Sequence, residues 1–319
     1  MVTKKKLLIL GASGLTGYKA FQSATIRFEP YGTYNLRILP GEPFMKLDVS
    51  DENEIGNLFK SILPDVVLNT IALHNVDFCE AHVEQAYSVN SKMVKYLVGL
   101  CNHHGARLVQ ISTDFVFAGN KQSRYTEIDE PNPLSIYGKS KLEGEKHARM
   151  CSSFGILRSS VIYGWTPVEI EISAPVSSSG KPINFALWAL SKMKRKEVLT
   201  VVNDQFASPT LADTLATIAL RIADIEKNDL YHVSGLDCVS RYHFVRRIAE
   251  VMGYSIENIK AVDSRSFLQV ASRPKYSCLD CEKIQNELDI RLEHLDRALA
   301  IMRSQIETEA PELLGNLSV

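Results

Sequence analysis

Tyr137 and Lys141 stand four residues apart in a stretch with helical character, a spacing that puts both side chains on one helix face. Ser112 and Thr113 close an apolar run, Arg107 to Ile111, that precedes them. These residue types suit hydride transfer to a carbonyl. That reaction needs a proton donor at the carbonyl oxygen, a positive charge that lowers the donor's pKa, and a second hydrogen bond to place the oxygen. A free tyrosine titrates near 10, and a neighbouring ammonium brings it down. In this reading Tyr137 protonates the oxygen, Lys141 tunes Tyr137 and holds a ribose, and Thr113 orients the oxygen. A lone Tyr-x-x-x-Lys occurs often by chance, so its weight comes from the elements that must position it.

The first of these is Leu7-Leu8-Ile9-Leu10, followed by the turn Gly11-Ala12-Ser13-Gly14-Leu15-Thr16-Gly17 and a helix from Tyr18 to about Arg27. Four apolar residues in a row read as a buried parallel strand. The glycines permit a tight turn, a close backbone approach to a pyrophosphate and close helix packing. The helix start then presents free N–H groups and a positive dipole end. Gly11, Ser13, Gly14, Leu15 and Thr16 are therefore candidate dinucleotide contacts. A second strand is expected over Tyr31 to Leu36, where an NAD site usually carries an acid about 20 residues past the glycines. No acid is present there, and Arg37 is placed either to meet a 2′-phosphate or to be an ordinary surface residue. This favours NADP(H) over NAD(H).

Phe44 to Val49 reads as a short strand whose Asp48 and Val49 face an adenine site, and Asp51 to Ile62 as a helix capped by Asp51 or Ser50. Asp65 to Thr70 is the next buried strand. Ile71, Ala72 and Leu73 follow at its C-terminal edge, where ligands of open α/β sheets sit. One long helix is expected from Glu84 to about His103, with Asn90 inside it as a cofactor contact and His103-His104 at its end next to Gly105. Ile156 to Tyr163 reads as one further strand. Six β units alternating with helices over about 163 residues predict an α/β, Rossmann-type doubly wound parallel sheet. After Gly164, Ile172 to Lys181 is rich in Ser, Pro and Gly, which suggests a mobile loop over the site. A helix is expected over Asn184 to Lys194, a strand over Leu199 to Val202, a helix over Thr210 to Ile225, and a last sheet strand at Leu230 to Val233. The expected division is 1–163 plus about 207–236 as the NADP-binding domain, with about 164–206 plus 237–319 as a smaller substrate lobe.

The 319 residues support a sizeable core, and a net charge of −1 gives no electrostatic case for nucleic acid or membrane. No apolar run is long enough to span a bilayer. The six cysteines are scattered and read as reduced thiols of a cytoplasmic protein. Cys278-x-x-Cys281 lacks the second pair or histidines that a zinc site needs and reads as incidental.

Several blocks resemble extended short-chain dehydrogenases/reductases, in particular the dTDP-4-dehydrorhamnose reductase group. They are residues 11–17, Asn-Val-Asp-Phe-Cys-Glu at 75–80 and Ser-Thr-Asp-Phe-Val-Phe-Ala-Gly at 112–119. Glu-Pro-Asn-Pro-Leu-Ser-Ile-Tyr-Gly-Lys-Ser-Lys-Leu-Glu-Gly-Glu at 130–145, Val-Asn-Asp-Gln-Phe-Ala-Ser-Pro-Thr at 202–210 and Ser-Arg-Pro-Lys-Tyr-Ser at 272–277 complete the set. The resemblance implies Thr113, Tyr137 and Lys141 as catalytic residues, NADPH as hydride source and a nucleotide-linked 4-keto sugar as substrate. Asn184 and Gln205 are the candidates for its diphosphate, and Arg273 is a candidate for phosphate or for lobe closure. The family commonly has a pocket Trp where this chain has Val161, and 165–181 is long. Both departures fall on the substrate side. Some members use Mg2+ in dimerisation; no carboxylate cluster here calls for a metal, and a homodimer is compatible with the family. The regulatory β subunit of methionine adenosyltransferase resembles the same family, so an NADP-binding partner of another enzyme is an alternative. A sugar-nucleotide epimerase or dehydratase is a third reading, disfavoured by Arg37 because those enzymes usually select NAD.

Overall fold

The structure, a computed structural model, describes residues 4–36, 43–166, 184–266 and 269–315. The first strands are β1 (Lys5–Leu10), β2 (Phe28–Tyr34), β3 (Met45–Lys46), β4 (Val66–Asn69), β5 (Arg107–Thr113) and β6 (Phe154–Ser159). They are followed by β7 (Ile162–Tyr163), β8 (Leu199–Val202), β9 (Phe206–Ala207), β10 (Thr210–Leu211), β11 (Asp229–His232), β12 (Val239–Ser240) and β13 (Ile259–Val262). Seven strands form one sheet in the order β11-β6-β5-β4-β1-β2-β3, and every pairing in it is parallel. The direction of winding reverses between β1 and β4. Loops leaving β1, β4 and β5 therefore diverge around one crevice at the C-terminal edge.

Strand periodicity explains the two-sided core. Leu7 and Ile9 join Val66, Leu68, Val109 and Leu157 on one face, while Leu8 and Leu10 join Val67, Leu108 and Ile156 on the other. The first face is covered by α1 (Leu15–Ala24) and a helix at Ala212–Asp224, and the second by α2 (Glu52–Ile62) and a helix at Met93–His104. Asp51, not Ser50, caps α2, accepting from the Asn53 and Glu54 amides; Ser50 donates to Asp48 instead.

Two predicted elements are broken. The single helix expected from Glu84 is three pieces, α4 (Val83–Tyr87), a π-helical turn at Ser88–Lys92, and α5 (Met93–His104), which ends on left-handed Gly105; a short α3 (Val76–Ala81) precedes them. The wider turn carries Asn90 toward the sheet edge. The strand expected from Ile156 to Tyr163 leaves the sheet after Ser159. Val161 adopts φ 44°, an unfavourable conformation for a β-branched residue, and β7 then pairs with β10 outside the sheet. The remaining helices are α6 (Ile136–Ala148), α7 (Phe185–Lys194), α8 (Ala212–Asp224), α9 (Arg241–Met252), α10 (Glu282–Leu288) and α11 (Leu295–Glu309). A separate core of Tyr163, Trp165, Leu190, Phe244, Ile248, Leu299 and Met302 gathers α7, α9 and α11. By contrast, Ile284 of α10 belongs to the main-sheet core.

The expectation of six reduced thiols is corrected: Cys238 and Cys278 form a disulfide. Cys281 stays free and buried, as do Cys79, Cys101 and Cys151. Spacing in sequence is blind to a pair that the fold joins across 40 residues.

Candidate active site

A cleft of about 900 Å³ runs along the C-terminal edge of the sheet, from the glycine turn to α7 and α9. At one end Gly11 takes φ 81°, and the Gly14 amide donates to its carbonyl. A Cβ on Gly17 would lie 2.2 Å from the Gly11 oxygen, so only glycine lets α1 start so close to the strand. Thr70 Oγ1 donates to Leu10 O at 2.8 Å, and Thr33 Oγ1 accepts from the Gly11 amide at 3.1 Å. Gly14 caps α1 with no side-chain hydrogen bond, leaving the first turn open to an anion. Ser13, Leu15, Thr16, Val49, Ile71 and Ala72 line this end. The wall from β2 is Tyr34, Asn35 and Leu36, with no carboxylate. Arg37 lies outside the described residues, as does most of the expected 165–181 loop.

These residues fit a dinucleotide: a tight glycine turn on the strand end, an uncapped helix start and a ribose wall without a carboxylate. When bound, NADPH supplies the hydride. Asp48 is exposed and its carboxylate is occupied by Ser50; the cleft is lined instead by Leu47 and Val49 on either side. Leu73 does not line the cleft. Asn90 grips its peptide from both sides, accepting from Leu73 N at 2.9 Å and donating to Leu73 O at 3.1 Å, and it also donates to Ser140 Oγ. Asn90 thus positions the β4 loop against α6 from behind the site.

In the middle of the cleft Thr113, Tyr137 and Lys141 come together. Ser135 caps α6 through the Gly138 amide, and Glu80 accepts from the Ile136 amide at 2.8 Å. Two glycines let α6 press inward: a Cβ on Gly138 would lie 2.3 Å from Phe115 O, and one on Gly144 would lie 2.2 Å from Asn90 O. One turn beyond Lys141, Glu145 receives both Arg158 Nε (2.9 Å) and Nη2 (2.8 Å), while Ser112 donates to the same carboxylate at 2.6 Å. This buried clamp ties α6 to β5 and β6 directly behind the reacting groups.

The electrostatics differ from the expectation for Tyr137. Burial is the leading cause that pushes its pKa up, the Asp114 charge adds to this, and the Thr113 hydroxyl opposes it. Lys141 Nζ donates to Ile111 O at 2.7 Å. Burial lowers its pKa to about 8, with Glu145 pulling the other way. In this state the lysine is a held cation whose own acidity is raised. Asp114, which the sequence reading passed over, is buried beside Thr113. Its Oδ1 accepts from Thr113 Oγ1 at 3.2 Å, and its Oδ2 accepts from Ser160 (2.9 Å) and Ser277 (2.5 Å). Burial raises its pKa against these donors.

The far end belongs to the lobe. Val161, Gln205 and Arg273 line it as expected, together with Phe185, Trp188, Thr200, Arg241 and Gln269. Gln205 donates to Gln269, and Arg273 pairs with Asp77 at 2.6 Å. Asn184 does not line the cleft; it caps α7 and donates to Gly164 O, thereby holding Phe185 and Trp188 in place. Arg241 lies over the Phe185 ring, and among the described residues its guanidinium has no carboxylate within ion-pair distance. No motif announced it; a Ser N-cap at Ser240 followed by a cation was the available signal.

A doubly wound parallel sheet with a glycine turn at its switch point, and a Thr/Tyr/Lys set at the same edge, defines an extended short-chain dehydrogenase/reductase. Residues 5–307 match the family described as RmlD substrate binding domain, and the chain belongs to that family. The dTDP-4-dehydrorhamnose reductase of Aggregatibacter actinomycetemcomitans is 32% identical over 314 residues, 95% of this chain and 99% of that protein. A crystal structure of dTDP-4-dehydrorhamnose reductase from Bacillus anthracis in complex with NADP superposes with a TM-score of 0.83 at 24% identity, covering 95% of this chain and all of that one. Methionine adenosyltransferase 2 subunit beta of Danio rerio is 28% identical over 290 residues, 88% of this chain and 84% of its own.

Proposed function

We propose that this protein reduces the 4-keto group of a nucleotide-linked deoxysugar with NADPH, with dTDP-4-dehydro-L-rhamnose going to dTDP-L-rhamnose as the best-supported case. The observation that carries this is the placement of Thr113, Tyr137 and Lys141 in one cleft with the Gly11–Thr16 turn at one end and Arg241 and Arg273 at the other. The relatives named for that reaction support it over nearly the whole chain. Tyr137 holds the proton for the sugar oxygen, and Thr113 fixes that oxygen's position. Lys141, anchored on Ile111 O, supplies the positive charge and a ribose contact. Phe115 packs edge-on to Tyr137, 5.7 Å between ring centres, and limits how its ring can turn. In this reading the protein works in the cytoplasm, where its Cys238–Cys278 bond faces a reducing thiol pool, and residues 1–163 with about 207–236 form the cofactor domain, to whose core Ile284 of α10 is added while Tyr163 packs in the lobe.

The test is NADPH oxidation with dTDP-4-dehydro-L-rhamnose, wild type beside Tyr137→Phe. Turnover that falls by about 10²–10⁴, the range for loss of a general acid, supports the assignment. Turnover unchanged in the variant removes Tyr137 from the mechanism. The Danio rerio relative and the absence of a Trp at Val161 favour one second reading, an NADP-binding partner of another enzyme. NADPH binding without turnover, together with a stoichiometric protein partner on purification, would select it.

A further inference from the structure

The cleft's far wall is a small platform of three extended segments. Its middle is β9, which pairs antiparallel with β12 on one side. On the other side the Phe206 amide donates to Lys275 O at 2.7 Å, and the Ser277 amide donates to Phe206 O at 2.9 Å. Each segment carries a cleft residue: Gln205 precedes β9, Arg241 follows β12, and Arg273 precedes the 275–277 segment. The two outer segments are too short to hold themselves. β12 is two residues long and the third segment touches β9 through one bridge at Tyr276. Cys238, just before β12, and Cys278, just after Ser277, tie the two outer segments to each other beyond the end of the middle strand, their Cα atoms 5.5 Å apart. Ser277 in turn donates to Asp114, the neighbour of Thr113.

We propose that the Cys238–Cys278 disulfide is a positioning element of the substrate cleft, holding Arg241 and the Asp77-paired Arg273 at the separation that meets the anionic half of the substrate. The inference rests on the reductase reading for the nature of that substrate. The bond is open to exchange from one side, because Cys238 is half-buried while Cys278 is fully buried. A thiolate of a small dithiol attacks Cys238 Sγ. The S–S bond breaks, and Cys278 leaves as a thiolate and takes a proton. The reagent's second thiol then displaces Cys238, which is also protonated. Two electrons and two protons pass to the protein, and the dithiol becomes a cyclic disulfide.

The experiment compares oxidised wild type, wild type reduced with dithiothreitol, and Cys238→Ser with and without dithiothreitol. Alkylation of the unfolded, unreduced chain should modify the four free cysteines and leave Cys238 and Cys278 unmodified. Reduction and Cys238→Ser should each raise KM for the sugar nucleotide and Kd for dTDP by about tenfold, a 1.4 kcal/mol change, with kcat and NADPH affinity within about twofold. Dithiothreitol should not affect Cys238→Ser. Six alkylated cysteines in the untreated protein would overturn the proposal. So would KM and Kd that ignore reduction, even if the melting temperature falls, because the bond would then only stabilise the fold. An equal response to dithiothreitol in Cys238→Ser would also overturn it. If the oxidised protein neither binds dTDP nor turns over the keto sugar, the reductase reading itself fails and the proposal falls with it.

Discussion

Lys141 is a cation in surroundings that penalise cations. Its pKa of about 8 lies below the ordinary 10.5 of a lysine, so between those values the unfolded chain binds more protons than the folded one. Stability contributed through this group therefore rises with pH across that window, and below it the fold carries the full cost of the buried charge. Lys141→Met should melt higher than wild type at neutral pH while losing activity, and the gap should close as pH rises through 8 toward 10.5. Thermal unfolding at several pH values reads this out; a variant less stable at neutral pH would contradict it. Ile111 O keeps a donor in the variant, because Gln110 Nε2 also reaches it at 2.8 Å. The same titration should place the basic limb of kcat/KM near pH 8. Asp114 is the converse case, a buried carboxylate kept by three hydroxyl donors. Asp114→Ala removes an acceptor from all three, leaving Ser277 only Phe206 O at 3.4 Å, and should cost about 2 kcal/mol in urea unfolding, with a fall in kcat as Thr113 loses its orientation. At this scale the sequence was legible where chemistry is local. The four-residue spacing of Tyr137 and Lys141 implies one helix face, but the partners of Asp114 come from 46 and 163 residues away.

At the scale of elements, α6 is useful because it is pressed hard against the sheet edge and clamped there. Gly144→Ala would put a Cβ 2.2 Å from Asn90 O. The helix must retreat, and a loss of about 1–3 kcal/mol is expected, with lower kcat because Tyr137 and Lys141 ride on the same helix. Gly99 in α5 is the control: a Cβ there meets nothing within 4 Å, so Gly99→Ala should stabilise by about 0.5–1 kcal/mol. Equal effects from the two substitutions would refute the close-packing argument. Glu145→Ala leaves Arg158 buried without its partner and should cost about 3–5 kcal/mol, measured by denaturant unfolding. The strands and caps were readable because apolar runs and an Asp before a helix are local signals. The π-helical turn at Ser88–Lys92 was not, because it answers to the demand that Asn90 reach Leu73 and Ser140.

For the whole molecule, the cleft joins two cores that fold from interleaved stretches of chain. The sheet supplies the reacting groups and the lobe supplies charge. Arg241 is seated on Phe185 at the cleft wall, with no carboxylate within ion-pair distance among the described residues and with the charge of buried Asp114 acting on it from further off; in the proposed function it is the lobe's cation for the substrate. Arg241→Ala should raise KM for the sugar nucleotide about tenfold or more with little change in kcat, the signature of lost binding shared by ground and transition states. A fall in kcat with KM unchanged would instead place Arg241 at the reacting atoms.

By itself the sequence determined the apolar runs of the sheet strands, the glycine turn and the one-face pairing of Tyr137 with Lys141, because each is written in spacings of a few residues that backbone geometry translates directly. It also carried the family, through blocks spread from 11 to 277. Only the tertiary structure decided that Asn184 caps a helix instead of lining the cleft, that Asp48 is turned to Ser50, that burial governs Tyr137, and that Cys238 meets Cys278. Each of these depends on which distant segments share a neighbourhood, and hydrogen-bond partners and desolvation are properties of that neighbourhood, not of the residue.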